Sequence, residues 1–249
     1  MSEHYIYGLH AVASLLNHRP GLVQYIGVRQ TRDDARMEEL LLLARHSGIE
    51  VRVLTTQQMQ QQFPNMVHQG IIACTSSIPE YHERDLPQLM ALMKKPGLIL
   101  ILDGVTDPHN LGACLRSAEA AGVDFVICPK DRSATITAVV SKVASGAAET
   151  LPFVRVVNLA RTLEFLKQEG VWIYGAEGSS KTSLYQLDFR SSIALVMGSE
   201  GSGMRRLTRE HCDDLFSLPM QGFVSSLNVS VATGISLYEV VRQRQGLAK

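Results

Sequence analysis

The stretch Leu98–Gly122, LILILDGVTDPHNLGACLRSAEAAG, joins an apolar run to an alanine-rich segment through a polar turn. A short, continuous apolar run bounded by turn formers reads as a strand buried on both faces, as in a parallel sheet. The chain leaves it through Asp107, Pro108 and Asn110. Asn110 is suited to cap a helix that starts at Leu111. Leu111, Cys114, Leu115, Ala118 and Ala121 then share one helical face. Arg116 lies outside it. Two readings fit this arginine: a surface residue paired with Glu119 at i+3, or a guanidinium kept for a ligand among small neighbours.

Outward from this stretch, strand and helix patterns alternate along the whole chain, which implies α/β architecture with mostly parallel strands. Buried strands are expected at 98–103, 124–129, 171–176, 193–198 and 215–219. Helices are expected between them, at 110–121, 134–148, 158–169, 203–212 and 226–244. Upstream, helix 8–17, strand 22–29, helix 32–48, strand 49–55, helix 56–63 and strand 70–76 make a separate small unit. The stretch IPEYHERDLP (78–87) is charged and carries two prolines, so it reads as a connection. The expected organisation is a first domain at 1–77, a linker at 78–84 and a second domain at 85–249.

The 249 residues hold 24 Lys plus Arg and 24 Asp plus Glu. Zero net charge argues against a nonspecific polycation but leaves room for a local basic patch. No apolar run approaches the ~20 residues of a membrane span. The start, MSEHYIYGLH, lacks a charged-then-apolar signal pattern. A cytoplasmic protein without a membrane partner is therefore expected. Cys74, Cys114, Cys128 and Cys212 are far apart, with no C-x-x-C and no zinc spacing. They read as reduced, buried thiols, and no metal site is expected.

Three strand ends carry unusual chemistry, and ligands collect at the carboxyl ends of parallel strands. The first is the turn at Asn110. The second is LVMGSEGSGM, where Gly198 ends a strand and Glu200 follows among small residues. A phosphate loop is a poor reading there, because a carboxylate repels phosphate and the Gly-Lys-Ser/Thr ending is absent. A loop glutamate exposed to solvent, or one holding hydroxyls, an amine or a guanidinium, fits better. The third is LPMQGFVSSLNVSVATGISLYEVV. Ser225 or Ser226 can cap a helix with a stripe of Leu227, Val231, Gly234, Tyr238 and Val241, and a second row of Ala232, Ile235 and Glu239. Ser226 and Asn228 stand at its positive end, as caps or as site residues. A helix apolar on more than one side is buried or makes an interface between copies.

The order and spacing of these blocks resemble the three signature motifs of the SpoU/TrmH class of SPOUT methyltransferases. DPHNLGACLRSAEAAG is similar to motif one, ALVMGSEGSGM to motif two and LPMQGFVSSLNVSVATGISLYE to motif three. The resemblance covers nearly the whole chain and implies an N-terminal L30e-like RNA-binding domain, ending in HQGIIA, plus a C-terminal SPOUT α/β-knot domain with a deep trefoil knot. It implies S-adenosylmethionine as methyl donor, with the cofactor surrounded by Gly198, Leu218, Met220 and Leu227 and completed by the loop after VWIYGA. It also implies catalytic roles for Arg116, Asn110, Glu200, Ser226 and Asn228, a homodimer, and methylation of a ribose 2′-hydroxyl. Within the class, the resemblance implies a guanosine of 23S rRNA as the target, and a separate N-terminal domain favours such large structured RNA over a tRNA loop; an inactive RNA-binding module is the other alternative.

A Rossmann-type enzyme fits less well, since LILILD is followed by GVTDPHN with one glycine, and the glycine cluster comes near residue 200. Lys130, Arg132 and Lys142, and Arg205, Arg206 and Arg209, are candidates for an RNA phosphate track. Arg29, Arg32 and His68 are weaker candidates in the first domain.

Overall fold

The computed structural model describes residues 4–30, 35–64, 68–76 and 80–245. It divides into two compact units: the residues up to 79 with 136–150, and residues 80–135 with the chain from 151 on.

In the first unit, β1 (His4–Tyr7), α1 (Leu9–His18), β2 (Val23–Arg29), α2 (Ala35–His46), β3 (Glu50–Leu54), α3 (Thr56–Gln62) and β4 (Ile71–Thr75) follow in order. The four strands form one sheet in the order β1-β4-β2-β3. Ile6, Leu15, Leu16, Ile26, Leu40 and Ile71 fill its core with α1 and α2. β1 was not expected from sequence: two tyrosines and a histidine in four residues hide the alternation, while pairing with β4 supplies it.

The second unit begins with β5 (Tyr81–His82), inside the stretch read as a linker, and continues with α4 (Leu86–Leu92), β6 (Leu98–Asp103), α5 (Pro108–Ala120) and β7 (Phe125–Pro129). Two short helices, α6 (Ala138–Ala144) and α7 (Ala147–Thr150), belong to the first unit; sequence reading ran them together as one helix. Gly146, at φ 101, explains the break. There the chain turns in a conformation that favours glycine, and Ser14 Oγ of α1 donates to the Gly146 carbonyl at 2.9 Å.

The second unit resumes with β8 (Phe153–Val156), α8 (Leu159–Gln168), β9 (Trp172–Ala176), β10 (Ile193–Gly198), α9 (Arg206–Glu210), β11 (Asp214–Phe216) and α10 (Val229–Gln245). Its seven-stranded sheet has the order β11-β9-β10-β6-β7-β8-β5, and every pairing is parallel. The fold is thus α/β with a mostly parallel sheet. β8 was missed from sequence because Arg155 interrupts a four-residue run. That arginine is nevertheless buried, and its Nη2 donates to the Lys130 carbonyl at 2.6 Å.

One face of this sheet packs Ile99, Ile101, Ile127 and Val196 against Leu159, Leu163 and Leu166 of α8. Each such side chain contributes about 1.5–3 kcal/mol when fully buried. α5 and α10 pack against each other, with Cys114 Sγ 3.5 Å from Thr233 Oγ1. The Arg244 guanidinium fixes the far end of α10, donating to the carbonyls of Phe189, Pro96, Gly97 and Ser191 at 2.7–3.0 Å. The near end of α10 is thereby held at the carboxyl edge of the sheet.

Candidate functional site

The loop after β10 owes its shape to two glycines and a buried carboxylate. A Cβ at Gly198 would overlap the Gly203–Met204 peptide, so only glycine fits where the chain folds back on itself. Ser199 and Gly203 exchange backbone hydrogen bonds at 3.0 and 3.1 Å, closing the loop. Its exit is pinned by Asp103 at the end of β6: the Arg205 N–H donates to Oδ2 at 2.9 Å. Glu200 stands at the exposed tip between these anchors.

Three residues far apart in the chain meet there. Asn110 Nδ2 donates to Glu200 Oε1 at 2.9 Å, and Asn228 Nδ2 donates to the same oxygen at 2.6 Å and to Asn110 Oδ1 at 2.9 Å. The Val229 N–H at the start of α10 points at Glu200 Oε1 from 3.5 Å. Hydrogen bonds to a charged acceptor are worth about 1.5–3 kcal/mol each, and the positive end of a helix adds to them.

Two capping expectations are corrected. Asn110 does not cap α5, because the helix starts earlier: Pro108 occupies its first turn and Asp107 accepts from the His109 N–H at 3.0 Å. The amide of Asn110 is thus released for Glu200. Neither Ser225 nor Ser226 starts α10; Asn228 Oδ1 accepts from Ser230 N–H at 2.9 Å and Ser230 Oγ at 2.6 Å. The loop from Leu218 to Asn228 has no regular secondary structure, and Ser226 stands in it, exposed.

Beside these residues lies a cleft of about 620 Å³ at the carboxyl ends of β9, β10 and β11. Gly198, Leu218, Met220 and Leu227 line it, as do Glu200, Ser226 and Asn228. Asn110 reaches it through its hydrogen bonds with Glu200 and Asn228. Arg116 does not line it. That side chain is exposed on α5 and, among the described residues, makes neither the pair with Glu119 that one of the two readings offered nor another ion pair. The loop after VWIYGA, expected to complete the pocket, lines it through Glu177 and Gly178; sequence reading named the loop but did not single out Glu177.

The cysteines form no disulfide. Burial pushes the Cys114 thiol up to about 11 and Cys212 up to about 12, so neither is a ready nucleophile. Among the described residues no cluster of His, Cys, Asp or Glu could hold a metal ion, and no helix is long and apolar enough to cross a membrane.

The basic residues separate into two groups. Arg205 donates to the Asp131 carbonyl at 2.8 Å and faces Asp103, Arg206 pairs with Glu210 at 2.6 Å, and Arg209 lies 3.2 Å from Glu177. Lys130 and Arg132 are exposed and carry no ion pair among the described residues. Lys142 belongs to the first unit, over the Tyr7 ring at 5.9 Å. Burial and then the charge of Arg29 hold His68 below its usual range. Arg32 lies outside the described residues.

Residues 97–238 match the SpoU rRNA methylase family, and residues 5–81 match the RNA 2′-O ribose methyltransferase substrate-binding family. The chain is 54% identical to the 23S rRNA (guanosine-2′-O-)-methyltransferase RlmB of Salmonella typhimurium and to that of Escherichia coli K12, in each case over 98% of this chain and 100% of the relative. Among solved structures, the SpoU methyltransferase AviRb from Streptomyces viridochromogenes superposes with a TM-score of 0.81 at 24% identity, over 98% of this chain and 90% of that one. A TrmH/SpoU tRNA-modifying enzyme of A. aeolicus gives 0.58 at 30% identity, over 67% and 85%.

Proposed function

The chain belongs to the SpoU rRNA methylase family, and from that premise we propose that it methylates the ribose 2′-hydroxyl of a guanosine in 23S rRNA with S-adenosylmethionine. The observation that carries the reading is the meeting of Asn110, Glu200 and Asn228 at a cleft walled by Gly198, Leu218, Met220 and Leu227. The cleft fits the cofactor on its own terms. Its volume falls within the roughly 300–1,000 Å³ of small-molecule sites. Its carboxylate suits a cation, and its apolar wall suits a base. When bound, S-adenosylmethionine supplies an electrophilic methyl on a sulfonium.

The protein's part is placement and charge. Glu200, braced by two amides, orients what enters the mouth of the cleft, and Ser226 and Asn228 shape the loop around it. Arg116 stabilises negative charge on the attacking ribose oxygen. A guanidinium is too hard to deprotonate to act as a base, so the proton leaves to water or an RNA phosphate. Arg116 sits outside the cleft of its own chain, and α10 exposes Val231 and Tyr238. These fit a homodimer in which the arginine of one copy serves the cleft of the other. The knotted form of the second unit and the L30e-like form of the first are part of the same reading, as is a cytoplasmic location with the ribosomal RNA. Lys130 and Arg132 are the basic residues left available for phosphates.

The test is to incubate the protein with labelled S-adenosylmethionine and unmodified 23S rRNA and to map the product. Label on one guanosine 2′-oxygen is expected. Label confined to a tRNA, or none, refutes the assignment. In the same assay Arg116→Ala should lower turnover by about 100-fold or more while cofactor affinity holds.

A further inference from the structure

A second glutamate lines the cleft, and the proposed mechanism leaves it unused. Glu177 is the first residue after β9, and its side chain is 19% exposed. Its main chain is tied down on both sides: its N–H donates to the Phe216 carbonyl at 2.8 Å, and its carbonyl accepts from the Ser180 N–H at 3.0 Å. Its carboxylate is held separately. Ser179 Oγ donates to Oε1 at 3.2 Å, and Arg209 Nε lies 3.2 Å from Oε2. A glutamate whose backbone and head group are both fixed loses little conformational entropy on taking a ligand.

The chemistry narrows what that ligand group is. A carboxylate paired with arginine only accepts hydrogen bonds, and each oxygen has about two acceptor positions. Ser179 and Arg209 occupy one on each oxygen, which leaves one on each. Two adjacent acceptors match two adjacent hydroxyls. In other α/β folds an acidic residue beyond a strand end takes ribose hydroxyls in this way. Glu177 and Glu200 line the same cleft, so phosphate is repelled and a nucleoside is favoured over a nucleotide. Phe216, Leu218 and Met220 supply an apolar wall for its base.

We infer that Glu177 binds the ribose hydroxyls of the adenosyl ligand, with Arg209 as its positioning residue. This rests on the proposed S-adenosylmethionine site. It also gives Arg209, expected on the RNA track from sequence, the role of holding Glu177.

Calorimetric titration with S-adenosylhomocysteine and with its 3′-deoxy counterpart tests the inference. Glu177→Ala should weaken the first by about ten- to a hundredfold and the second much less. The KM for S-adenosylmethionine should rise while kcat at saturation stays near that of the parent. Arg209→Ala should show the same pattern in milder form, with Arg209→Lys restoring part of the affinity. Glu177→Gln, which keeps one acceptor, should fall between parent and alanine, and thermal unfolding of each variant checks that the fold is kept. Equal affinity of parent and Glu177→Ala for S-adenosylhomocysteine overturns the inference alone, as does an equal loss for both ligands. A parent that binds neither ligand overturns the cofactor reading as well.

Discussion

Glu149 follows the turn at Gly146 and Glu200 stands in the turn between Gly198 and Gly203, yet their surroundings are opposite. Glu200, on the 198–205 loop, is exposed and has two amide donors on one oxygen. Glu149, on α7 of the first unit, is fully buried, and among the described residues neither oxygen has a hydrogen-bond partner. Burial therefore pushes its carboxyl up to about 7, against weaker opposition from the nearby Ser141 hydroxyl and the charge of Arg19. The same side chain is a braced acceptor in one place and, below about pH 7, an uncharged packing group in the other. What decides between them is the supply of donors, not the residue type.

The largest effect that could break this contrast is at Glu200. Glu200→Ala leaves the amides of Asn110 and Asn228 without their shared acceptor and should lower methyl transfer by about 100-fold or more. Glu200→Gln keeps an acceptor oxygen and should lose less. Thermal unfolding of both variants should stay close to that of the parent, because the loop remains anchored at Gly198 and at Asp103. An alanine variant with parental turnover would remove Glu200 from the site.

Glu149 should show itself in stability instead. Its folded pKa is raised, so the unfolded chain ionises first. Stability is then full below about 4.5, falls as pH rises towards about 7, and is level above that. The loss at pH 8 is on the order of 3 kcal/mol. Glu149→Gln carries no such titration, so denaturant unfolding should find it more stable relative to the parent at pH 8 than at pH 4.5. A parent and variant with parallel pH profiles would mean that the carboxyl is solvated or paired after all.

The smallest effect concerns the free and the paired cations. Lys130→Ala and Arg132→Ala should each reduce the slope of log affinity for rRNA against log salt by somewhat under about 1. Arg206→Ala, which removes a residue already paired with Glu210, should change it less. Filter binding at several salt concentrations separates the two. Equal slopes for all three variants would erase the distinction between them.

Much of the fold was legible because buried parallel strands need uninterrupted apolar runs. β6 and β10 were read with their observed limits, Leu98–Asp103 and Ile193–Gly198. β1 and β8 escaped because their burial comes from neighbours and not from their own pattern. Tyr5 meets the Phe63 ring edge-on at 5.0 Å, and Arg155 finds a carbonyl. On α10 the expected stripe of Val231 and Tyr238 is exposed in the single chain, whereas Val229, Thr233, Leu237 and Val240 form the buried face. An apolar helix with polar residues scattered round it gives periodicity little to distinguish, and contact with α5 makes the choice.

For the candidate site the division is similar. The residue types, the glycines that let the chain turn tightly after β10, and the strand end to which each residue belongs can all be read along the chain. Folding alone turns Asn110 to Glu200 instead of letting it cap its own helix, makes Asn228 both cap α10 and bridge the other two, and brings Arg209 to Glu177. Helix and strand patterns act over a few residues. These partners are 90, 118 and 32 positions apart, and hydrogen-bond donors so far apart are matched by sheet register and loop closure.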